Sequence, residues 1–264
     1  MTQDLSITHG EHRGFPALLV TTPFSTAAVS LHGGQVLSFV LEGFDDALWL
    51  SPESKRPPSA TRGGIPVCWP YFARQGQPDD VPQHGVVRTL PWELLGSSVE
   101  DDGTVSLRLA PPALAGESLS LQMELRIGRV LEQSLTTRNE GKAPRRFTQA
   151  LHTYFQVADA LQVSVSGLDG CDYLDKNDGM QRHTQVGEWN LQDPRDPGRS
   201  DRIYVDAGSG FVLADPLGKR NITLQIEGSR TLVVWNPGKD GQQAFVDLSV
   251  EGWRHFVCLE AANA

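Results

Sequence analysis

Two ionisable residues stand where apolar strands leave little room for charge. His152 lies in ALHTYFQV and Glu260 in FVCLEAA, both close to the apolar residues of a strand-like run. A buried polar group needs a partner, and a buried carboxylate needs pairing or a task. A histidine and a carboxylate are also suited to giving and taking a proton. Blander readings stay open: a core histidine bonded to backbone, and an edge glutamate facing water.

A second group gathers in two short stretches rich in glycine and proline. Arg62 opens RGGIPVCWP (Arg62 to Pro70), and His84 and Arg88 share PQHGVVR (Pro82 to Arg88). A guanidinium fork beside glycines suits an oxyanion or a phosphate, because backbone can come close and the fork matches phosphate geometry. Surface ion pairs with Asp79 or Asp80 explain the same arginines. Asp201 in SDRIY fits a turn aspartate as well as a ligand, and Trp235 in VVWNPG fits a core. His9 and His12, in HGEH, have metal-binding spacing but no thiol pair or acidic cluster beside them, so a solvated terminus is expected. There is no HExxH, no P-loop lysine and no GxSxG, and the glycines around Ser209 read as a turn.

Composition narrows the class. With 264 residues and 39% hydrophobic content, the chain can bury a large core without staples. A formal net charge of −9 disfavours bulk binding to nucleic acid or an anionic membrane, so an anionic ligand needs a local basic pocket. Three cysteines far apart in sequence offer neither a disulfide framework nor a zinc motif. The N-terminal stretch does not read as a signal peptide and no apolar run reaches membrane-spanning length, so a cytoplasmic setting is expected.

The elements that must position these residues are strands. Leu119, Leu121, Met123, Leu125 and Ile127 alternate with polar residues, the pattern of an antiparallel sheet with one wet face. Similar runs include PALLVT, QVLSFVLEG, DALWLS, RVLEQSLTTRN, RRFTQALHTYFQV, LQVSVSG, GFVLAD, TLVVW and WRHFVCLEA. The best helical candidate, PPALAGESL, is short and begins with two prolines. One all-β domain of packed antiparallel sheets is expected. The exception is residues 52–91, which hold eight of the 17 prolines. Ile65, Val67, Trp69, Tyr71 and Phe72 make that segment too apolar for a solvated linker, so an ordered loop is expected.

Nine stretches now fall in order from His32 to Ala262: HGGQVLSF, WLSP, RGGIPVCWPYF, PQHGVVR, ALHTYFQV, GLDGCDYLDK, SDRIY, VVWNPG and FVCLEAA. Together they resemble the sugar-phosphate branch of the aldose 1-epimerase family, the hexose-6-phosphate mutarotases. The resemblance implies one galactose mutarotase-like domain over residues 1–264, a large antiparallel β-sandwich with the sugar in a cleft on its concave face. It implies catalytic roles for His152 and Glu260, sugar contacts for His84 and Asp201, and a phosphate site at Arg62 and Arg88. One departure stands out: the family usually has an aromatic after His-Gly, where this chain has Val86. The implied reaction interconverts the anomers of a hexose 6-phosphate, with glucose 6-phosphate foremost. Glu260 would take the proton of the anomeric hydroxyl while His152, as imidazolium, protonates the ring oxygen, the two standing on opposite sides of the sugar. No metal or other cofactor is needed, and a monomer acting on a small sugar phosphate is expected. The alternatives are a mutarotase of unphosphorylated aldoses, which would not need the arginines, and a carbohydrate-binding sandwich, which would not need the acid and base. Trp69 is a candidate for stacking on the sugar.

Overall fold

The computed structural model describes residues 5–74, 76–195 and 197–264. Its strands are numbered in chain order. The first nine are β1 (Ser6–His12), β2 (Phe15–Thr21), β3 (Ser25–Ser30), β4 (Gln35–Leu41), β5 (Val67–Cys68), β6 (Glu93–Val99), β7 (Val105–Ala110), β8 (Leu119–Ile127) and β9 (Leu131–Asn139). Nine more follow: β10 (Gln149–Gln156), β11 (Ser164–Ser166), β12 (Asp172–Asp175), β13 (Gln181–Thr184), β14 (Ser200–Val205), β15 (Gly210–Asp215), β16 (Arg220–Gln225), β17 (Thr231–Asn236) and β18 (Phe256–Asn263). The expected all-β class holds. Among the described residues the one α-helix is Gly238–Gly241, and PPALAGESL forms none, as its prolines foretell.

The chain divides into two compact units, residues 1–48 with 55–149, and residues 49–54 with 150–264. The first unit contains two antiparallel meanders, β1-β2-β3-β4 and β6-β7-β8-β9. Strand β8 buries every second residue from Leu119 to Ile127, which is the alternation its sequence shows. The histidines of HGEH belong to β1, paired with β2, where His9 is exposed as expected and His12 is half-buried. Burial there lowers the affinity of His12 for a proton.

The loop over residues 52–91 is ordered by contacts of its own. Trp69 bridges Gly85, the Val86 amide donates to the Trp69 carbonyl at 3.1 Å, and the His84 amide donates to the Ala73 carbonyl at 2.7 Å. The two glycine- and proline-rich stretches therefore lie against each other. Their glycines make room for backbone: a Cβ on Gly85, at φ +75°, would sit 2.0 Å from the Trp69 carbonyl oxygen. A Cβ on Gly64, at φ +62°, would likewise run into the Val36 carbonyl oxygen. Both glycines are required by close chain packing within this unit. Gly85→Ala is accordingly expected to destabilise the protein by more than about 2 kcal/mol in urea unfolding, adding a clash to the left-handed strain. Gly179→Ala, with the same sign of φ and open space around it, is the control and should cost about 1 kcal/mol.

The second unit holds a sheet whose strands run β13-β12-β14-β17-β18-β10 and a three-stranded sheet, β11-β15-β16. One face of the larger sheet turns Tyr173, Tyr204, Leu232, Val234, Val257, Leu259 and Phe155 into a common core with Val165, Phe211 and Leu213 of the smaller sheet. Because side chains alternate along a strand, residues between these point the other way. Those intervening residues are Asp201, Trp235, Phe256, Cys258, Glu260, His152 and Tyr154.

Candidate functional site

On β18, Phe256, Cys258 and Glu260 share one face, and antiparallel pairing extends it sideways. Cys258 stands opposite Trp235 of β17, and Trp235 opposite Asp201 of β14. His152 and Tyr154 occupy the same relation to each other on β10, the strand beyond β18. The sheet thus delivers one row of functional side chains from segments distant in sequence.

The centre of the row is a histidine–carboxylate contact. His152 Nε2 lies 3.3 Å from Glu260 Oε1, with side chains 9% and 2% exposed. The imidazole stacks on Tyr154 at 4.8 Å and meets Trp235 edge-on at 5.8 Å. Trp49, Tyr154, Phe256 and Cys258 form an apolar cluster beneath, against which Trp235 packs. In this setting burial pushes the Glu260 carboxyl well above the usual carboxylate range; the Lys176 ammonium draws it down and the Asp201 carboxylate pushes it up. Lys176 itself pairs with Asp201 Oδ1 at 3.2 Å. Two charges of opposite sign therefore bear on one buried acid.

Of the residues singled out from the sequence, His152, Glu260 and Asp201 come together on this face. The acid and base do not stand on opposite sides of a sugar-sized gap. They touch, because they project from neighbouring strands toward the same side. Lys176 went unassigned in the sequence although GLDGCDYLDK contains it: a lysine in a polar turn carries no signal until the fold sets it beside Asp201. Trp69 is 1% exposed and donates its indole N–H to Thr137 Oγ1 at 3.0 Å, so it is a core residue. Five of the six tryptophans are buried, and Trp235 is partly exposed.

Within the first unit, His84 and Arg88 stay together on the loop. His84 takes a left-handed backbone (φ 62°), accepts the Ala73 N–H on Nδ1 at 3.3 Å and sets its ring 4.9 Å from Phe72. Arg88 Nη2 donates to the Gln83 carbonyl at 2.9 Å rather than pairing with Asp79 or Asp80. Arg88 and Arg74 both favour the ionised form of the Tyr71 phenol, against a burial that raises its pKa. Arg74 is thus a further cation beside Tyr71, and nothing in its sequence surroundings marks it. Arg62 is half-buried at the entry to the glycine pair.

The family model described as aldose 1-epimerase matches residues 16–264. The "Putative glucose-6-phosphate 1-epimerase" of Escherichia coli (strain K12) is 33% identical over 254 residues, covering 94% of this chain and 83% of that protein. The protein of the same name from Salmonella typhimurium (strain LT2) is 31% identical over 254 residues, with the same coverage of 94% and 83%. The crystal structure of "a putative mutarotase (YeaD) from Salmonella typhimurium" superposes with a TM-score of 0.88 at 28% identity, over 98% of this chain and 86% of that one. Galactose 1-epimerase from Lactobacillus acidophilus NCFM shares the fold, with a TM-score of 0.66 at 14% identity over 98% and 90% of the two chains. An all-β chain of this kind is a sugar isomerase. It belongs to the aldose 1-epimerase family.

Proposed function

We propose that the protein interconverts the α and β anomers of a hexose 6-phosphate, most directly glucose 6-phosphate, with His152 and Glu260 as the proton-transfer pair. The observation that carries this is the buried 3.3 Å contact between them on a sheet face shared with Asp201 and Trp235. Ring opening takes the proton from the anomeric hydroxyl and gives one to the ring oxygen. Both oxygens are bonded to the same carbon, so a base and an acid lying side by side serve them from one direction. Glu260 as carboxylate receives the first proton and His152 as imidazolium donates the second; closure on the other face of the aldehyde reverses the roles. A carboxyl held well above its usual range is a stronger base once ionised, which brings it closer to the pH at which it must work. Asp201, paired with Lys176, is assigned to accept a hydrogen bond from a sugar hydroxyl, and partly exposed Trp235 to lie against the sugar's C–H surface. Arg62, Arg88 and His84 are assigned to the phosphate and the adjoining part of the substrate. The names of the relatives support the phosphorylated substrate. The family match, running through both units, supports one domain over residues 1–264.

Anomer exchange of glucose 6-phosphate, followed by NMR, tests the reaction. Two charge variants test the site. Lys176→Met removes the cation that draws the Glu260 carboxyl down, so the acidic limb of the kcat/KM profile should move to higher pH. Asp201→Asn removes the anion that pushes it up, and the same limb should move to lower pH. Shifts of one sign in both variants, or none, would remove Glu260 as the group that titrates in that limb.

A further inference from the structure

The proton-transfer pair leaves one neighbour without a task. Cys258 is fully buried, lies two residues before Glu260 on the same face of β18, and takes no part in moving protons to or from the sugar. Its Sγ, a ring nitrogen of His152 and a carboxylate oxygen of Glu260 all lie within 4.8 Å of one another. Four-coordinate zinc, with bonds of about 2.0 Å to nitrogen and oxygen and about 2.3 Å to sulfur, sets its ligand atoms about 3.3–3.8 Å apart. His152 Nε2 and Glu260 Oε1 stand at 3.3 Å. The other carboxylate oxygen of Glu260, Oε2, is buried with no hydrogen-bond partner among the described residues.

We propose that His152, Cys258 and Glu260 form a site for a thiophilic divalent cation, with Zn²⁺ the best fit, and that the bound ion switches the enzyme off. The donor set decides the metal. Imidazole, thiolate and one carboxylate suit zinc, whereas magnesium and calcium seek shells of oxygen. Three protein ligands leave a fourth position for a water or another small ligand. The inhibitory half rests on the proposed proton-transfer roles: a cation on His152 Nε2 and on the Glu260 carboxylate occupies the lone pairs that carry the protons. On binding, the thiol proton of Cys258 and the proton shared by the pair pass to solvent.

Cobalt(II) reports the ligands without reference to activity, because tetrahedral thiolate coordination gives strong charge-transfer and visible bands. Wild-type protein is expected to take up one equivalent and show both. Cys258→Ser should lose the thiolate band and bind at least about 100-fold more weakly, and Cys171→Ser should match wild type. Glu260→Gln, close in shape, is a second variant in case Cys258→Ser does not fold; it should keep the thiolate band and bind more weakly. In the second arm, Zn²⁺ alone should slow anomer exchange in wild type. Cys258→Ser should need a correspondingly higher Zn²⁺ concentration to halve its own rate. A thiolate band that survives in Cys258→Ser, or no uptake of cobalt by wild type, overturns the site. Cobalt bound as expected without any effect of Zn²⁺ on the rate overturns the inhibition. If no protein exchanges anomers, the reaction assignment fails while the cobalt result still decides the site.

Discussion

Glu260→Gln is expected to slow anomer exchange at least about a hundredfold, the low end for loss of a general base, while melting higher than its parent at alkaline pH. The first half follows from the role: an amide of the same shape cannot take the proton, so kcat falls with little change in substrate affinity. The second half follows from burial. Because the folded state holds the Glu260 proton more tightly than the unfolded chain does, it gains stability that is full at pH below the ordinary carboxylate range. That gain is lost as pH rises through the elevated value, where the folded protein must carry a desolvated charge. Glutamine carries none, so the difference in Tm between variant and parent should widen with pH. Melting curves across acid to alkaline pH, with exchange rates by NMR, check both halves. A variant that keeps near wild-type exchange removes Glu260 as the base, and a Tm difference independent of pH removes the buried-charge account.

Arg62→Ala and Arg88→Ala are expected to lose kcat/KM on glucose 6-phosphate by roughly 10- to 150-fold each, from a charge-assisted hydrogen bond worth about 1.5–3 kcal/mol. Any slower reaction with free glucose should be nearly untouched, since that substrate never makes the contact. Binding energy at the non-reacting end also holds the sugar in register, so kcat should fall along with affinity. Equal losses on both substrates would mean that the arginines shape the loop. The loop offers a reason to measure both: Arg88 already donates to the Gln83 carbonyl, and that bond ties the 3-10 turn Val87–Thr89 back to the stretch containing His84.

How much of this is legible in the sequence follows from what a one-dimensional pattern can record. His152 and Glu260 stand out because ionisable residues interrupt apolar strands, a local contradiction that needs no knowledge of the fold. The alternation of β8 was equally plain. Strand β14 is not legible, because SDRIYV carries an aspartate and an arginine that resemble turn chemistry. Arg202 is nevertheless 1% exposed at the middle of the sheet, with Asp193 at 3.0 Å and Gln185 at 3.2 Å. Its partners stand 9 and 17 residues earlier, outside the strand itself, so the alternation within SDRIYV does not announce the burial. In the sequence the glycines of the two loops suggest room for a ligand. Their purpose is visible only once the facing carbonyls of Val36 and Trp69 are placed. Position along a strand is written locally; pairing across strands is not.

The alternation on β18 has a consequence for how the chain reaches its fold. Leu259, flanked by Cys258 and Glu260, belongs to the apolar core, whereas Glu260 on the other face carries the strand's one side-chain carboxyl. Sliding β18 by one position would thrust the Glu260 carboxyl among Val234, Leu232 and Tyr204 and turn Leu259 outward. The slip that spoils the chemistry is thus also one that folding disfavours, because it sets a carboxylate in the apolar core. The functional residues act as a proofreading device for the sheet that carries them, and a chain that passes the check has its proton-transfer groups in line.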